Sequence, residues 1–301
     1  MIFVTGASGR LGSRIVNALV RNGDAKNVIA GVRDLEANAD RFPEEVELRH
    51  IDYNDPETLS TAFAGVDRLV FIPSAAPKDL RIQQNDEVTA AAVAAGVKHV
   101  ILVGIMDASF DSIHPFIQAY AATEKTLKES GMSWTMCRCA LYIDNMHEQG
   151  RPWLETGEMV VCTGDGKINW VARDDIADAV VGVLAAPIDE HNHQTYLLTG
   201  PEALSYPEIA DLFNDVLGTD IKVTQISFEE FKAVFTKVWG VSYAGKGAEH
   251  IKEAGPLFLL LCKQGKMEGV TDHVEKLTGR PAQGMRSWLA ANPLLCETPE
   301  L

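Results

Sequence analysis

Short apolar runs alternate with longer stretches in which apolar residues return every three or four positions. Ile2 to Val4 is the first run and reads as a buried strand; Leu11, Ile15, Val16 and Leu19 then recur at helical spacing up to Asn22-Gly23, a helix stop. The alternation continues with strands at Val28 to Arg33, Val46 to Asp52, Asp67 to Pro73, Lys98 to Gly104 and Ser133 to Arg138. Helices are expected between them: one opened by Asp55-Pro56 and stopped at Gly65, one over about Asp79 to Ala95, and one over about Pro115 to Glu129. Strand–helix alternation at crossover length requires a mostly parallel sheet covered on both faces, an α/β doubly wound architecture. The expected strand order is 3-2-1-4-5, followed by the sixth.

Beyond residue 150 the pattern loosens. Asp174-Asp175 reads as the cap of a helix over Ile176 to Ala186, Thr195 to Thr199 as a strand, and Ser205 to Glu208 as a capping box opening another helix. Ile221 to Ile226 reads as a short strand. Phe228, Phe231, Phe235 and Trp239 form an aromatic stripe at helical spacing, suited to a core or to a pocket wall. The division expected is a Rossmann domain over 1–150 and a smaller C-terminal α/β substrate lobe over 151–301, with the chain crossing between them. The tail beyond Leu295 is expected to fray.

The glycines sharpen this picture. Thr5-Gly6-Ala7-Ser8-Gly9-Arg10-Leu11-Gly12 lies between the first strand and the first helix, which is the context a dinucleotide fingerprint requires. Gly6 would permit the tight turn, Gly9 the approach of a pyrophosphate, and Gly12 close packing of helix on strand. The helix start would present free N–H groups and its positive end to the phosphates. Thr5, Ser8 and Leu11 belong to the same cradle. Arg10 could add charge near the phosphates or simply be a solvated helix-start residue. Arg33 stands where such folds read the adenosine ribose, and an arginine there suits a 2′-phosphate, favouring NADPH over NADH. Asp52, followed by Tyr53, ends the third strand, where its carboxylate could accept from the adenine amino group or cap the loop. Ligands in these sheets lie at the carboxyl ends of the strands, so Ile72, Pro73 and Ser74 after strand four and Gly104 after strand five are expected at the cofactor.

Composition narrows the classes. The 301 residues are 46% hydrophobic and 23% charged, ordinary for a globular protein with a large core. The formal charge of −15 repels phosphate backbones and disfavours nucleic-acid binding. Five cysteines without a CxxC pair suit a reducing compartment. No signal peptide is visible, and the longest apolar run, Pro256 to Cys262, is too short to span a bilayer. These features lead to the expectation of a cytoplasmic protein with no membrane role. His191 and His193 lack the spacing and cysteines of a metal pair, so no metal is expected.

The chain resembles the NmrA-like branch of the atypical short-chain dehydrogenases, and most of all its quinone and triphenylmethane reductases. The residues that carry the resemblance are the glycine motif, Val32-Arg33, Asp52-Tyr53, Thr123-Glu124-Lys125 with Leu127 and Ser130-Gly131, then Arg138, Tyr142 and Asn145, then Gly164 to Lys167 and Arg173 with Asp175. They span about the first 220 residues. The resemblance implies a Rossmann domain binding NADPH, a smaller lobe closing over the nicotinamide, and Arg138, Tyr142 and Asn145 lining the cleft between. The chain departs from the branch at Gly104, where relatives often have Ser or Thr, and at Tyr120, where quinone-reductase relatives tend to have His.

The tyrosine–lysine pair of typical short-chain dehydrogenases is absent. Tyr120 is followed four residues later by Glu124, and Lys125 is rotated about 100° away from that face. A carboxylate beside the phenol would weaken it as an acid. The candidate proton donors are therefore Tyr120, Tyr142 and His114, with Ser109 a further hydroxyl; none has a partner visible in sequence. Without an obvious acid, hydride transfer to a quinone-like or other conjugated small-molecule acceptor is favoured, because such acceptors need orientation more than protonation. Two other readings stay open: a non-catalytic NAD(P) sensor with a protein partner, and a biosynthetic reductase whose pocket Trp239, Tyr243 and Phe258 would shape. A homodimer is compatible with all three.

Overall fold

The computed structural model describes residues 1–238 and 249–292. The first half builds the parallel layer: β1 (Ile2–Val4), α1 (Arg10–Arg21), β2 (Val28–Val32), β3 (Glu47–His50), α2 (Pro56–Ala62), β4 (Arg68–Phe71), α3 (Lys78–Ala94), β5 (His99–Ile105), α4 (Pro115–Glu129) and β6 (Ser133–Cys139). Two of the expected helix starts are present: the Asp55 carboxylate accepts from Glu57 N at 3.1 Å, and Pro115 opens α4. Side chains alternate through the sheet. Phe3, Ile29, Leu69 and Phe71 pack on one face with Leu59, Val88 and Leu127. Val4, Val28, Ala30 and Val70 pack on the other with Ile15 and Val180. The sheet is therefore apolar on both sides, as parallel sheets must be.

The second half continues with β7 (Leu141–Tyr142), α5 (Met146–Thr156), β8 (Glu158–Val161), β9 (Lys167–Val171), α6 (Arg173–Ala185), α7 (Ile188–His191) and β10 (Gln194–Leu198). Then come β11 (Ala203–Ser205), α8 (Tyr206–Leu217), β12 (Lys222–Gln225), α9 (Phe228–Val238), α10 (Glu249–Ala254), α11 (Leu257–Lys263), α12 (His273–Thr278) and α13 (Met285–Ala291). Ser205 and Glu208 form the expected capping box of α8. Phe231 and Phe235 are buried, so that part of the aromatic stripe is core; Trp239, Tyr243 and the tail beyond Leu295 lie outside the described residues.

Two features differ from the sequence reading. The main sheet has seven strands, ordered β3-β2-β1-β4-β5-β6-β10. The strand expected at Thr195 to Thr199 is β10, which pairs parallel to β6 with Cys139 opposite Leu198, while α6 packs on α1. Within residues 151–301, α6 and β10 return to the Rossmann layer, and the lobe is made of two excursions. Second, neither Asp174 nor Asp175 caps α6, which starts at Arg173 after Ala172. The buried Asp175 carboxylate instead binds Arg280 at 2.6 Å and Gln283 N at 2.7 Å, fastening the C-terminal segment to α6.

Each minor sheet joins the two excursions. β9 lies between β7 and β11, and β8 pairs with β12. The first crossing into the lobe is fixed by Asp144, whose carboxylate accepts from Arg173 N at 2.9 Å and pairs with Arg14 of α1 at 3.4 Å.

Candidate active site

The cleft starts where β1 turns into α1. Gly6 has φ +59°, a conformation an L side chain rarely adopts. A Cβ on Gly12 would overlap the Gly6 carbonyl and lie 2.9 Å from Ala7 Cα, so only glycine lets α1 sit this close to the loop. Gly9 is the N-cap residue and offers no side-chain bond to the helix start, which leaves the first N–H groups of α1 available to an anion. Thr5 is fully buried. Its hydroxyl accepts from Ile72 N at 2.8 Å, locking the ends of β1 and β4 together.

Two cavities open from this point, of about 390 and 350 Å³. They share Ile72, Pro73, Ser74 and Ala75, so they adjoin as two halves of one cleft region. The first is lined by Gly6, Ser8, Gly9, Arg33, Asp52 and Tyr53, joined by Asn54 and Gln84. Arg33 is exposed and makes no ion pair among the described residues. Asp52 accepts from Asn54 N at 2.9 Å, the loop-capping role its position allowed. Tyr53 donates to the Ile72 carbonyl at 2.9 Å, and burial holds its phenol well above the ordinary value.

The second cavity takes Arg10, Leu11, Gly104, Tyr120, Tyr142 and Asn145 from the sequence-based set. Phe258, named for a reductase pocket, and Arg173 of the family motif line it too, and it adds Arg81, Ile105, Phe116 and Leu141. Arg10 is paired with Glu148 of α5. Arg173 donates to Asn145 Oδ1 at 2.7 Å, and its guanidinium lies 4.7 Å from the Tyr142 ring centre. Burial raises the Tyr142 phenol well above its ordinary value, so it is a weak acid.

Arg138 and His114 line neither cavity. Arg138 forms a two-pronged pair with Glu124, both bonds 2.7 Å, and Glu124 is buried. Glu124 is thus turned to β6, and the partner of Tyr120 is Arg81, 4.3 Å above its ring. The sequence reading had set a carboxylate beside Tyr120; tertiary packing sets a cation there. His114 is fully buried, accepts from Phe116 N at 3.2 Å as the cap of α4 and stacks 4.0 Å from Phe258. Burial first, and then the charge of Arg81, push its imidazole down to about 4, so it is neutral near pH 7. Among the described residues no group of His, Cys, Asp and Glu could hold a metal, and no helix is long and apolar enough to cross a membrane.

Residues 1–255 match the NmrA-like family. This chain belongs to that family. The NAD(P)H azoreductase of Xenophilus azovorans is 30% identical to this NmrA-like protein over 97% of the chain and 98% of the relative. The Citrobacter sp. triphenylmethane reductase complexed with NADP(H) superposes with a TM-score of 0.86 at 31% identity, covering 98% of this chain and 100% of the other. The NADPH-dependent quinone oxidoreductase of Escherichia coli, in complex with NADPH, also gives 0.86, at 26% identity over 97% and 99% of the two chains.

Sequence reasoning missed Arg81 and Gln84. A signal was present: on α3 they share a face with Val88 and Ala92, and that face is buried. A polar residue aligned with core positions points inward, toward whatever the cleft holds.

Proposed function

We propose that this NmrA-like protein transfers hydride from NADPH to a quinone-like or other electron-poor conjugated acceptor. At the coarser level it is an NAD(P)H-dependent oxidoreductase. The observation that carries the finer reading is the pair of adjoining cavities: one is lined by the glycine loop, and the other by aromatic residues and arginines with no lysine, aspartate or glutamate among the described residues. The residues fit the cofactor. Gly6 and Gly12 shape a loop that a Cβ would fill, the start of α1 offers its N–H groups, and Arg33 stands free to take a 2′-phosphate. When bound, NADPH supplies the hydride.

The chain's own contribution is positioning. Phe116, Tyr120, Tyr142 and Phe258 line the second cavity, an aromatic wall suited to hold a flat acceptor against the nicotinamide and exclude water. His114, neutral and outside the cavity, and Tyr142, with its raised phenol, are poor proton donors. This favours acceptors that accept hydride without a simultaneous proton. The relatives named for azo, quinone and triphenylmethane reduction support the same class. The test is steady-state loss of reduced-nicotinamide absorbance with a panel of quinones, azo dyes and triphenylmethane dyes. Tight NADPH binding without turnover of any acceptor would sink the reading and favour a sensor.

A further inference from the structure

Helix α3 places one guanidinium in the acceptor half of the cleft without a counter-charge. Arg81 is only 3% exposed. Its guanidinium lies 4.8 Å from the Phe116 ring centre and 4.3 Å from that of Tyr120. It makes no ion pair and no side-chain hydrogen bond among the described residues, and its Nε is buried and unbonded. A buried charge without a partner is destabilising, and aromatic faces recover only part of that cost.

The surroundings make the charge specific to this site. Three arginines line the second cavity, and no aspartate or glutamate does among the described residues. Arg10 is matched by Glu148, and Arg173 is held by Asn145 and lies 3.8 Å from Asp144. Arg81 alone is unmatched, in a chain whose formal charge is −15. The positive cavity is therefore not a by-product of a basic surface.

We propose that Arg81 holds the oxygen on which negative charge collects as the acceptor is reduced, so that the site selects acceptors reduced to oxyanions over cationic dyes. The proposal rests on the reductase reading above and names its substrate class. A quinone gains one hydrogen nucleus and two electrons as the C4–H bond of the dihydronicotinamide breaks. The nicotinamide is left oxidised, and the quinone leaves the step as an oxygen monoanion that water then protonates. A fixed guanidinium pointed at that oxygen stabilises the charge as it forms, with no reorganisation and no proton donor. Arg81 therefore supplies charge stabilisation where burial has weakened Tyr142 as an acid and His114 lies outside the cavity. A cationic dye gains the same hydride and becomes neutral, so Arg81 repels the substrate and has no developing anion to stabilise.

The test uses the full chain with Arg81→Gln and Arg81→Lys. NADPH affinity is measured by fluorescence titration, and kcat/KM is measured with 1,4-naphthoquinone and with the cationic dye malachite green. Calorimetry measures binding of the 2-hydroxy-1,4-naphthoquinone anion to the NADP-loaded protein. Removing one preorganised donor typically lowers turnover about 100-fold or more. The expected result for Arg81→Gln is a loss of that size with naphthoquinone, lost anion binding, NADPH affinity within about twofold of wild type, and dye turnover unchanged or raised. Arg81→Lys should recover part of the quinone activity. Wild type should prefer the quinone to the dye. Equal losses with both acceptors, a parallel loss of NADPH affinity, or a wild-type preference for the dye would overturn the assignment. Wild type that binds NADPH but reduces neither acceptor refutes the reductase reading; anion binding unchanged in Arg81→Gln refutes the role of Arg81 independently.

Discussion

Replacing His99 with Gln should remove a large part of this protein's sensitivity to acid. His99 is fully buried on β5. Arg68 donates to its Nδ1 at 3.0 Å, so that nitrogen must be unprotonated and Nε2 carries the hydrogen toward Thr135 Oγ1, 2.8 Å away. Arg68 also donates to the carbonyls of Leu184 and Ala186 at 2.8 and 3.0 Å, clamping the end of α6 to the sheet. A proton on Nδ1 would face those donors. Burial, followed by the charges of Arg68 and His191, pushes the imidazole from 6.5 down to about 4.

The sign follows from which state binds more protons. Between those two values the unfolded chain is protonated at His99 and the folded chain is not, so stability rises with pH there. The contribution is fully present above the unfolded value and is lost as pH falls toward the folded one. Going from about pH 7 to about pH 4.5 forfeits about 2–3 kcal/mol at this site. Urea denaturation of wild type and His99→Gln at both pH values measures it. The glutamine variant is less stable near neutrality because its packing differs, but its loss on acidification should be smaller than wild type's by about 2–3 kcal/mol. Equal losses in the two proteins would refute the argument.

Arg33→Asp should weaken NADPH binding by about 10–100-fold, the worth of a charge-assisted contact, and leave NADH binding little changed; equal losses by fluorescence titration would separate Arg33 from the 2′-phosphate. Gly12→Ala forces a methyl into the Gly6 carbonyl, and overpacking at ~1–3 kcal/mol should lower NADPH affinity about tenfold or more; unchanged affinity would show that the loop yields freely. Glu124→Gln strands Arg138 and should cost ~2–3 kcal/mol in urea unfolding. The double variant Glu124→Gln/Arg138→Met should recover most of that loss, and a purely additive result would deny the pairing.

The parts of the fold written in local periodicity were legible. β1, α1, α3, α4 and β6 lie within a few residues of their expected positions, because alternation, glycine stops and caps act over one or two turns. The seventh strand was visible as a strand but not as part of the main sheet, since its partner β6 lies some sixty residues earlier in the chain. Asp175 looked like a cap because its neighbours in sequence fit one; its partners, Arg280 and Gln283, come from the far end. At the site, helical spacing placed Tyr120 and Glu124 on one face but could not say which would turn to β6. Arg81 was not singled out: its place on the buried face of α3 was legible, but that its charge would be unpaired in a cavity is a tertiary fact.

The two minor sheets have a consequence for synthesis. Each is sewn from strands before β10 and one strand after it: β7 and β9 with β11, and β8 with β12. A nascent chain that has emerged only as far as β10 can complete the seven-stranded layer and its glycine loop, but neither small sheet has both of its edges. Non-local pairings of this kind form last and slowly. Phe258, which lines the second cavity, arrives later still. The ribosome therefore delivers the glycine-loop half of the cleft first, and the second cavity gains its full wall only after the residues beyond β10 have emerged.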